Sequence, residues 1–596
     1  MFTCEEISFL KQMVFDLTGC TYEGEIAVCE GTGLTLSGDL QKVTVTAESK
    51  PALARGFFRL AQEMRHGKTA FDLHEEKLFE SCGAFVDFSR NAVMTVEACK
   101  RYMNHLAALG MNMMALYIEE TYEVPGHPYV GYLRGRLTQS EIRELDAHAQ
   151  KLGMELLPCI QTLGHLENYL QWAQTRHLQD QPSVLLVDED ETYELIEAMV
   201  KSMRECVSGH RLHVGMDEAH GVGLGRYFQK HGITDRFELL NRHLTRVVEI
   251  CQKYDFHAIM WSDMFFRLGS KTNSYYDLES HAPQSVIDNL PDVDLCYWDY
   301  YNTTEDMYEH MFAEHERMNP GTVFAGGVWT WSGFLPQVEL TWATMEPGLK
   351  VAAKHQVKTV LATQWGDNGN ECDQFLALSQ LPMFSEFCWR GECDREMVAD
   401  AGELLTGLPR EAYEAFGKFF PDEKDKRPGK ELVYCDLLYP IGPDGAMMDI
   451  CLPRYEEAIE TLKPLAGRLE CRYALSLFEL AAEKIRAVRV IRPAYLRGDQ
   501  EAMLDIARRA IPLITEKVEA LEEAHRTLWE RDYRRNGWEV LALRYGAVRG
   551  RLRDVARAIE RWASGELDTL CELDEEPMDS TRAKNYAHAV SPMYII

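Results

Sequence analysis

Between residues 81 and 392 the chain repeats one unit eight times: a short apolar run that reads as a buried strand, then a segment long enough for a helix. The strand candidates are Ala84 to Asp87, Met113 to Ile118, Glu155 to Ile160, Leu212 to Met216, Ala258 to Trp261, Val293 to Trp298, Val323 to Trp329 and Thr359 to Trp365. Continuous apolar runs, rather than alternating ones, suit a parallel sheet covered on both faces. Eight such strands alternating with helices match a (β/α)8 TIM barrel, an α/β fold. That architecture puts the working side chains where each strand ends.

Read in turn, those ends carry Asp87 and Arg90, Glu119 and Glu120, His165, Asp217 and Glu218, Trp261 and Asp263, Trp298 to Tyr301, Trp329 and Trp331, and Trp365 and Asp367. Flat aromatic faces ringed by carboxylates suit a sugar, whose C–H faces stack on rings while its hydroxyls need donors and acceptors. A single tryptophan is more often a core residue; several at strand ends are harder to assign to packing alone. Side chains alternate along a strand, so Asp217 and Glu218 should point to opposite sides. Both can face one pocket only if the backbone bends after Val214, where Gly215 loosens it. An adjacent Asp-Glu pair is otherwise ordinary surface charge.

On either side of the repeat the pattern changes. Residues 1–80 carry β-like runs such as Lys42-Val43-Thr44-Val45-Thr46, then helical spacing in Leu53, Phe57, Leu60 and Ala61, which predicts a small α+β domain. Residues 393–596 read as an α-helical domain packed on the barrel, after a charged, Pro-containing connection around Phe420 to Lys430. Leu475, Phe478, Ala482, Ile485 and Val488 form an apolar stripe, Gly498-Asp499 marks a helix stop and start, and helical segments follow through Leu504 to Glu522 and Trp538 to Trp562. The stripe permits a homodimer without requiring one.

A formal charge of -31 argues against a nucleic-acid partner, since phosphate recognition needs clustered Lys and Arg, and equally against an anionic membrane surface. The sixteen cysteines are scattered, with no metal-ligand spacing, as expected of reduced thiols in a cytoplasmic protein. The start Met1-Phe2-Thr3-Cys4 lacks the basic and apolar regions of a signal peptide, and no apolar run of membrane-spanning length appears. Gly221-Val222-Gly223-Leu224-Gly225 lacks the spacing of a nucleotide loop and reads as a flexible active-site loop.

The segment His213-Val214-Gly215-Met216-Asp217-Glu218 resembles the His-x-Gly-x-Asp-Glu signature of glycoside hydrolase family 20, the β-N-acetylhexosaminidases. Gly83 to Arg90 is similar to that family's first strand, Leu163-Gly164-His165 to its Pro-Gly-His turn, and Trp365-Gly366-Asp367 to its Trp-Gly-Glu. The runs Tyr132 to Arg136 and Ile160 to His165 look most like the intracellular branch that includes hexosaminidase D and bacterial relatives with a helical C-terminal domain.

The resemblance implies an exo-acting, retaining enzyme that removes terminal β-linked GlcNAc or GalNAc from an oligosaccharide or glycoconjugate, with the substrate's own 2-acetamido group as nucleophile and no metal or cofactor. Glu218 would be the general acid and Asp217 would orient the acetamido group. Glu218 should then hold a proton near neutral pH, through desolvation and nearby negative charge. His165 would contact Glu218 and be held by a second-strand carboxylate; counting from Asn112 favours Glu120 over its neighbour Glu119. Trp298, Trp329 and Trp365 would wall the acetamido pocket, and Asp367 would accept from ring hydroxyls. The seventh strand offers Trp329 and Trp331 where the family has a tyrosine, so Tyr300 or Tyr301 would donate to the acetamido oxygen. The arginine that normally grips the C3 and C4 hydroxyls is Cys82 here, which puts the choice between GlcNAc and GalNAc in question; Arg90 or Arg134 would compensate. The other readings are an acetamido-assisted glycosidase with a different aglycone preference, and a carbohydrate-binding barrel that has lost turnover.

Overall fold

A computed structural model describes residues 2–272, 274–319, 321–367, 369–421, 429–440, 445–576 and 591–594. Its first strands, β1 (Glu25–Glu30), β2 (Leu34–Asp39), β3 (Lys42–Ala47) and β4 (Ala70–Glu75), form one sheet in the order β1-β3-β2-β4. Alternation in β3 buries Val43, Val45 and Ala47. They meet the helix Lys50–Arg65, whose Leu53, Phe57, Leu60 and Ala61 are fully buried as their spacing predicts. The same helix buries two cations: Arg55 and Arg59 both pair with Glu75 and with Glu386, which lies on the helix Leu381–Arg390 after the last barrel strand. Four paired charges thus join this sheet layer to the barrel.

The central sheet is a closed barrel of eight parallel strands: β5 (Ser81–Asp87), β6 (Met113–Glu119), β7 (Glu155–Ile160), β10 (Arg211–His213), β11 (His257–Trp261), β12 (Asp294–Asp299), β13 (Thr322–Gly327) and β14 (Thr359–Gln364). A small hairpin, β8 (Gln179–Gln181) with β9 (Val184–Leu185), sits in the connection after β7. Alternation divides the barrel residues into two cores. Phe85, Ala115, Tyr117, Leu157, Ile259, Trp261, Ala325 and Leu361 fill the interior. Cys82, Ala84, Val86, Met114 and Leu116 face the helices. The strand expected over Leu212 to Met216 leaves the ladder at His213, because Gly215 and Met216 both turn to positive φ, 71° and 74°.

The remaining chain is helical, with Leu469–Leu496, Ile511–Asp532 and Trp538–Ala563 the longest helices. Phe478, Ala482 and Ile485 are fully buried along the expected stripe. Gly498 (φ 65°) ends the first of these helices, and the Asp499 carboxylate caps the short helix Gln500–Asp505 by accepting from the Ala502 N–H at 3.0 Å. This layer reaches the barrel directly: the Tyr533 hydroxyl accepts from the Gln374 N–H at 2.8 Å. Part of the charged connection near residue 425 lies outside the described residues. No helix among the described residues is long and apolar enough to cross a membrane.

Candidate active site

The C-terminal ends of β6, β7 and β10 share a backbone feature that ordinary strands avoid. Glu119 (φ 39°), His165 (φ 52°), Met216 (φ 74°) and Glu218 (φ 49°) all adopt left-handed conformations. Each costs on the order of 1–3 kcal/mol, so the surroundings must hold it. Around Asp217 the holding group is Gln161. Its carbonyl oxygen accepts from the Met216 N–H at 3.1 Å, and its amide donates to Asp217 Oδ1 at 2.6 Å and to the Tyr117 hydroxyl at 2.9 Å. Gly215 must be glycine here: a Cβ would stand 2.2 Å from Gln161 Oε1. Glu218 is held from the next strand, its N–H donating to Asp263 Oδ2 at 3.0 Å. These turns are how two neighbouring acids come to line one cleft.

That cleft, of about 460 Å³ including its open mouth, is bounded by Arg90, His165, Asp217, Glu218, Trp261, Trp298, Tyr300, Tyr301, Trp331, Trp365 and Asp367. Trp298 and Tyr300 stack at 5.1 Å, and Trp331 meets Tyr300 edge-on at 5.4 Å. The Arg90 guanidinium lies over the rings of Tyr117 and Trp365 at 4.8 and 5.4 Å, and within 3.4 Å of both Asp87 and Glu119. The Asp87 carboxylate fixes the first-strand turn, accepting from the N–H groups of Ser89 (2.8 Å) and Gly366 (3.0 Å).

His165 Nε2 sits between the two acids, 3.1 Å from Asp217 Oδ2 and 3.4 Å from Glu218 Oε2, close enough for charge contact but off a straight N–H···O line. Burial alone would discharge the ring, yet Asp217 above all, with Glu218, pushes its pKa well above the ordinary histidine value. Burial likewise opposes ionisation of Asp217, but His165 and the Gln161 amide outweigh it and hold that carboxyl below its usual range. At Asp263 the balance goes the other way, although the Glu218 N–H and Trp298 favour its charged form. Buried, and facing the charge of Asp217, it is pushed well above the carboxylate range. Glu119 is raised to about 7 by burial, against the pull of Arg90 and His165.

Glu218 departs from expectation. Burial favours its neutral form, but His165 and the Tyr275 hydroxyl, which donates to Oε1 at 2.6 Å, together lower its pKa. Desolvation and negative neighbours are foreseeable from the sequence; a phenol brought to Oε1 by a loop of irregular structure is not. Gln161 and Tyr275 carry no periodic or motif signal that assigns them a role; Trp261 and Asp263 were visible as a strand end without one. The glycine-rich loop is also better held than expected, since the Asp180 carboxylate accepts from the N–H groups of Gly223 (2.8 Å) and Tyr227 (2.7 Å).

Residues 79–280 match a profile described as the catalytic domain of glycosyl hydrolase family 20, and residues 426–591 match one described as the C-terminal domain of Glycoside Hydrolase 20C. The chain belongs to glycoside hydrolase family 20. Hexosaminidase D of Bos taurus is 28% identical over 166 residues, covering 26% of this chain and 48% of that protein. Hexosaminidase D of Homo sapiens is 33% identical over 127 residues, covering 20% and 25%. The aligned region thus spans at most about half the length of these curated relatives. Among solved structures, the family 20 β-N-acetylhexosaminidase of Streptomyces coelicolor A3(2) superposes with a TM-score of 0.50 at 18% identity, covering 68% of this chain and 90% of that one. A mutant Streptomyces plicatus β-hexosaminidase in complex with product (GlcNAc) gives 0.50 at 18%, covering 68% and 89%. At that identity the likeness establishes the fold.

Three of the residue positions carried over from family 20 fall elsewhere in the fold. Cys82 cannot stand in for a sugar-gripping arginine: it is buried on the outward register of β5, its N–H bonded to Asn112 Oδ1 at 2.9 Å. It lies five residues, or roughly 16 Å, before the strand's working end. Of the two arginines offered in its place, Arg90 lines the cleft. Arg134 instead pairs with Glu120, Nε to Oε1 at 3.2 Å. Glu120 therefore does not hold His165; Glu119 follows Tyr117 on the inward register, and its ionisation is the one that feels the His165 charge. Trp329 does not reach the cleft and is buried behind Trp331, stacked on it at 4.3 Å. Trp298, Trp331, Trp365, Asp367, Tyr300 and Tyr301 all line it.

Proposed function

We propose that the chain is an exo-acting, retaining β-N-acetylhexosaminidase that removes terminal β-linked GlcNAc or GalNAc by substrate-assisted catalysis. The observation that carries this reading is the pair Asp217 and Glu218 lining one aromatic-walled cleft, with His165 between them. In the first step the acetamido carbonyl oxygen attacks C1, the glycosidic C–O bond breaks, and Glu218 gives its proton to the departing oxygen. Asp217, held charged by His165 and aimed by Gln161, accepts the acetamido N–H and offsets the positive charge of the oxazolinium. In the second step the Glu218 carboxylate takes a proton from water, which attacks C1 from the face the aglycone left, and the bond between C1 and the acetamido oxygen breaks to restore the acetamido group. Two displacements on one carbon return the original anomeric configuration. The chemistry asks for no metal or cofactor.

Trp298, Trp331 and Trp365 would pack the sugar and its acetamido methyl, while Arg90 and Asp367 would bind ring hydroxyls. The Tyr301 ring is 57% exposed whereas the Tyr300 hydroxyl is buried, so Tyr301 is the freer donor for the acetamido oxygen. The fold supports three domains, 1–80, 81–392 and 393–596, with the chemistry in the second. Cysteines scattered along the chain without metal-ligand spacing support a reducing compartment, the cytoplasm.

The test is hydrolysis of β-linked aryl N-acetylhexosaminides. Glu218→Gln should lower kcat on a poor leaving group by about a hundredfold or more. Asp217→Asn should lower turnover and weaken binding of a thiazoline mimic of the intermediate. Saccharide binding without turnover in the wild type would point to a carbohydrate-binding barrel, and unchanged thiazoline affinity in Asp217→Asn would remove substrate assistance. Comparing the gluco and galacto epimers decides the choice at C4.

A further inference from the structure

A general acid should reach its substrate protonated, yet both oxygens of Glu218 are engaged by groups that favour the carboxylate. Oε2 faces the His165 ring at 3.4 Å, and Oε1 accepts from the Tyr275 hydroxyl at 2.6 Å. Tyr275 lies between the helices Asp263–Arg267 and Gln284–Ile287, its ring packed on Trp298 at 5.0 Å beneath the Arg267 guanidinium at 5.9 Å. The same hydroxyl lies 2.9 Å from His220 Nε2. A phenol has one proton; with it committed to Glu218, the ring nitrogen of His220 must donate to the phenol oxygen. The result is a directed chain from His220 through Tyr275 to the catalytic carboxylate.

Resting on the hexosaminidase reading, we propose that Tyr275 is a positioning residue that caps the proton-donating oxygen of Glu218 in the free enzyme, and that the aglycone oxygen of a bound substrate displaces it. A hydrogen bond donated to a carboxylate favours the charged form, so removing it restores proton affinity at the moment the glycosidic oxygen arrives. Glu218 then takes up one proton from solvent, and that proton leaves with the aglycone. The other charged or titratable groups that act on Glu218 are His165 from the neighbouring strand end, Asp217 beside it in the chain, Asp263 beneath the backbone, Asp367 and Tyr301 across the cleft, and His220, which is itself bonded to Tyr275. The device ties protonation of the acid to occupancy of the aglycone side.

The test is the pH profile of Tyr275→Phe, which keeps the ring on Trp298 and removes only the hydroxyl. Activity is lost on the alkaline side as Glu218 loses its proton: in the free enzyme this shows in kcat/KM, in the complex in kcat. On a substrate with a poor leaving group, the alkaline limb of the wild-type kcat/KM should lie below that of kcat. In Tyr275→Phe it should move up by about half a pH unit or more, with the kcat limb in place. A kcat/KM limb that stays put, or two limbs that move together, overturns the proposal. Should the variant fail to fold, wild type bound to an uncleavable thio-linked disaccharide decides: the Tyr275 hydroxyl should lie beyond hydrogen-bond reach of Oε1, and an intact bond overturns the idea. A wild type inactive on both epimers would sink the hexosaminidase reading itself, whereas an active one with an unmoved limb sinks only the cap.

Discussion

Asp263 shows how a single side chain can serve the site without carrying charge. Fully buried, it accepts from the Glu218 N–H while burial and the charge of Asp217 favour the neutral form of its own carboxyl. A carboxyl whose folded-state pKa is raised binds a proton that the unfolded chain has lost. Stability therefore falls as pH rises from about 4, the unfolded value, to the raised folded value. Asp263→Asn keeps an acceptor for Glu218 and removes the titration, so it should flatten that pH slope while leaving kcat within a few-fold. Asp263→Leu leaves the Glu218 N–H unpaired, which should cost about 1–3 kcal/mol and lower kcat with it. Denaturant unfolding at several pH values, alongside kinetics, checks both; an Asn variant with the wild-type slope would mean the carboxyl is already charged. At this scale the sequence shows the Asp-Glu pair, the histidine and most of the cleft aromatics, because each ends a recognisable strand. It hides the roles of Gln161, Asp263 and Tyr275, because what they do depends on distances across strands that no local spacing encodes.

The eight barrel strands are legible because burial on both faces imposes continuous apolar runs, and the helices between them because their period is different. Where element and sequence part company, the site is the reason. The fourth barrel strand stops at His213, short of its apolar run, so that Gly215 and Met216 can turn the two acids inward. Gly215→Ala tests that turn. A methyl there meets Gln161 Oε1 and is forced into a left-handed conformation, so we expect a loss of at least about 2 kcal/mol in stability. The loss of kcat should exceed what unfolding explains, since Gln161 also aims Asp217. Thermal unfolding and kinetics at a temperature where the variant is folded separate the two effects. A variant folded and fully active would mean that the turn does not set the aim of the acids. The loop at 221–225 marks the converse limit. Its glycines suggest mobility, but the Asp180 carboxylate that pins it lies some forty residues earlier in the chain.

Across the whole molecule, the C-terminal helices are part of the site's scaffold. Glu371, fully buried just past the last barrel strand, pairs with Arg544 and with Lys430 (2.6 Å), and accepts from the Tyr434 hydroxyl at 3.0 Å. Burial opposes its ionisation, but Lys430 and Arg544 outweigh that and hold its pKa below the usual range. Lys430 also donates to the Asp367 backbone carbonyl, while the Asn91 amide bonds the carbonyls of Gly369 and Gly537, both at 3.1 Å. The segment carrying Trp365 and Asp367 is therefore clamped between the first barrel loop and the helical layer. A helical layer packed on the barrel is legible from its apolar stripe. Its grip on the cleft is not, because the partners stand 59 and 173 residues apart. Removing one member of a buried ion cluster leaves the others uncompensated, so Glu371→Ala should cost about 3–5 kcal/mol. Because the carboxylate steadies the ground beneath Asp367 and touches neither acid, the kinetic loss should fall mainly on KM, with kcat reduced less. Glu371→Gln, which keeps an acceptor but not the charge, should lie between the two. A Glu371→Ala enzyme with wild-type KM would show that the helices stabilise the barrel without shaping the sugar site.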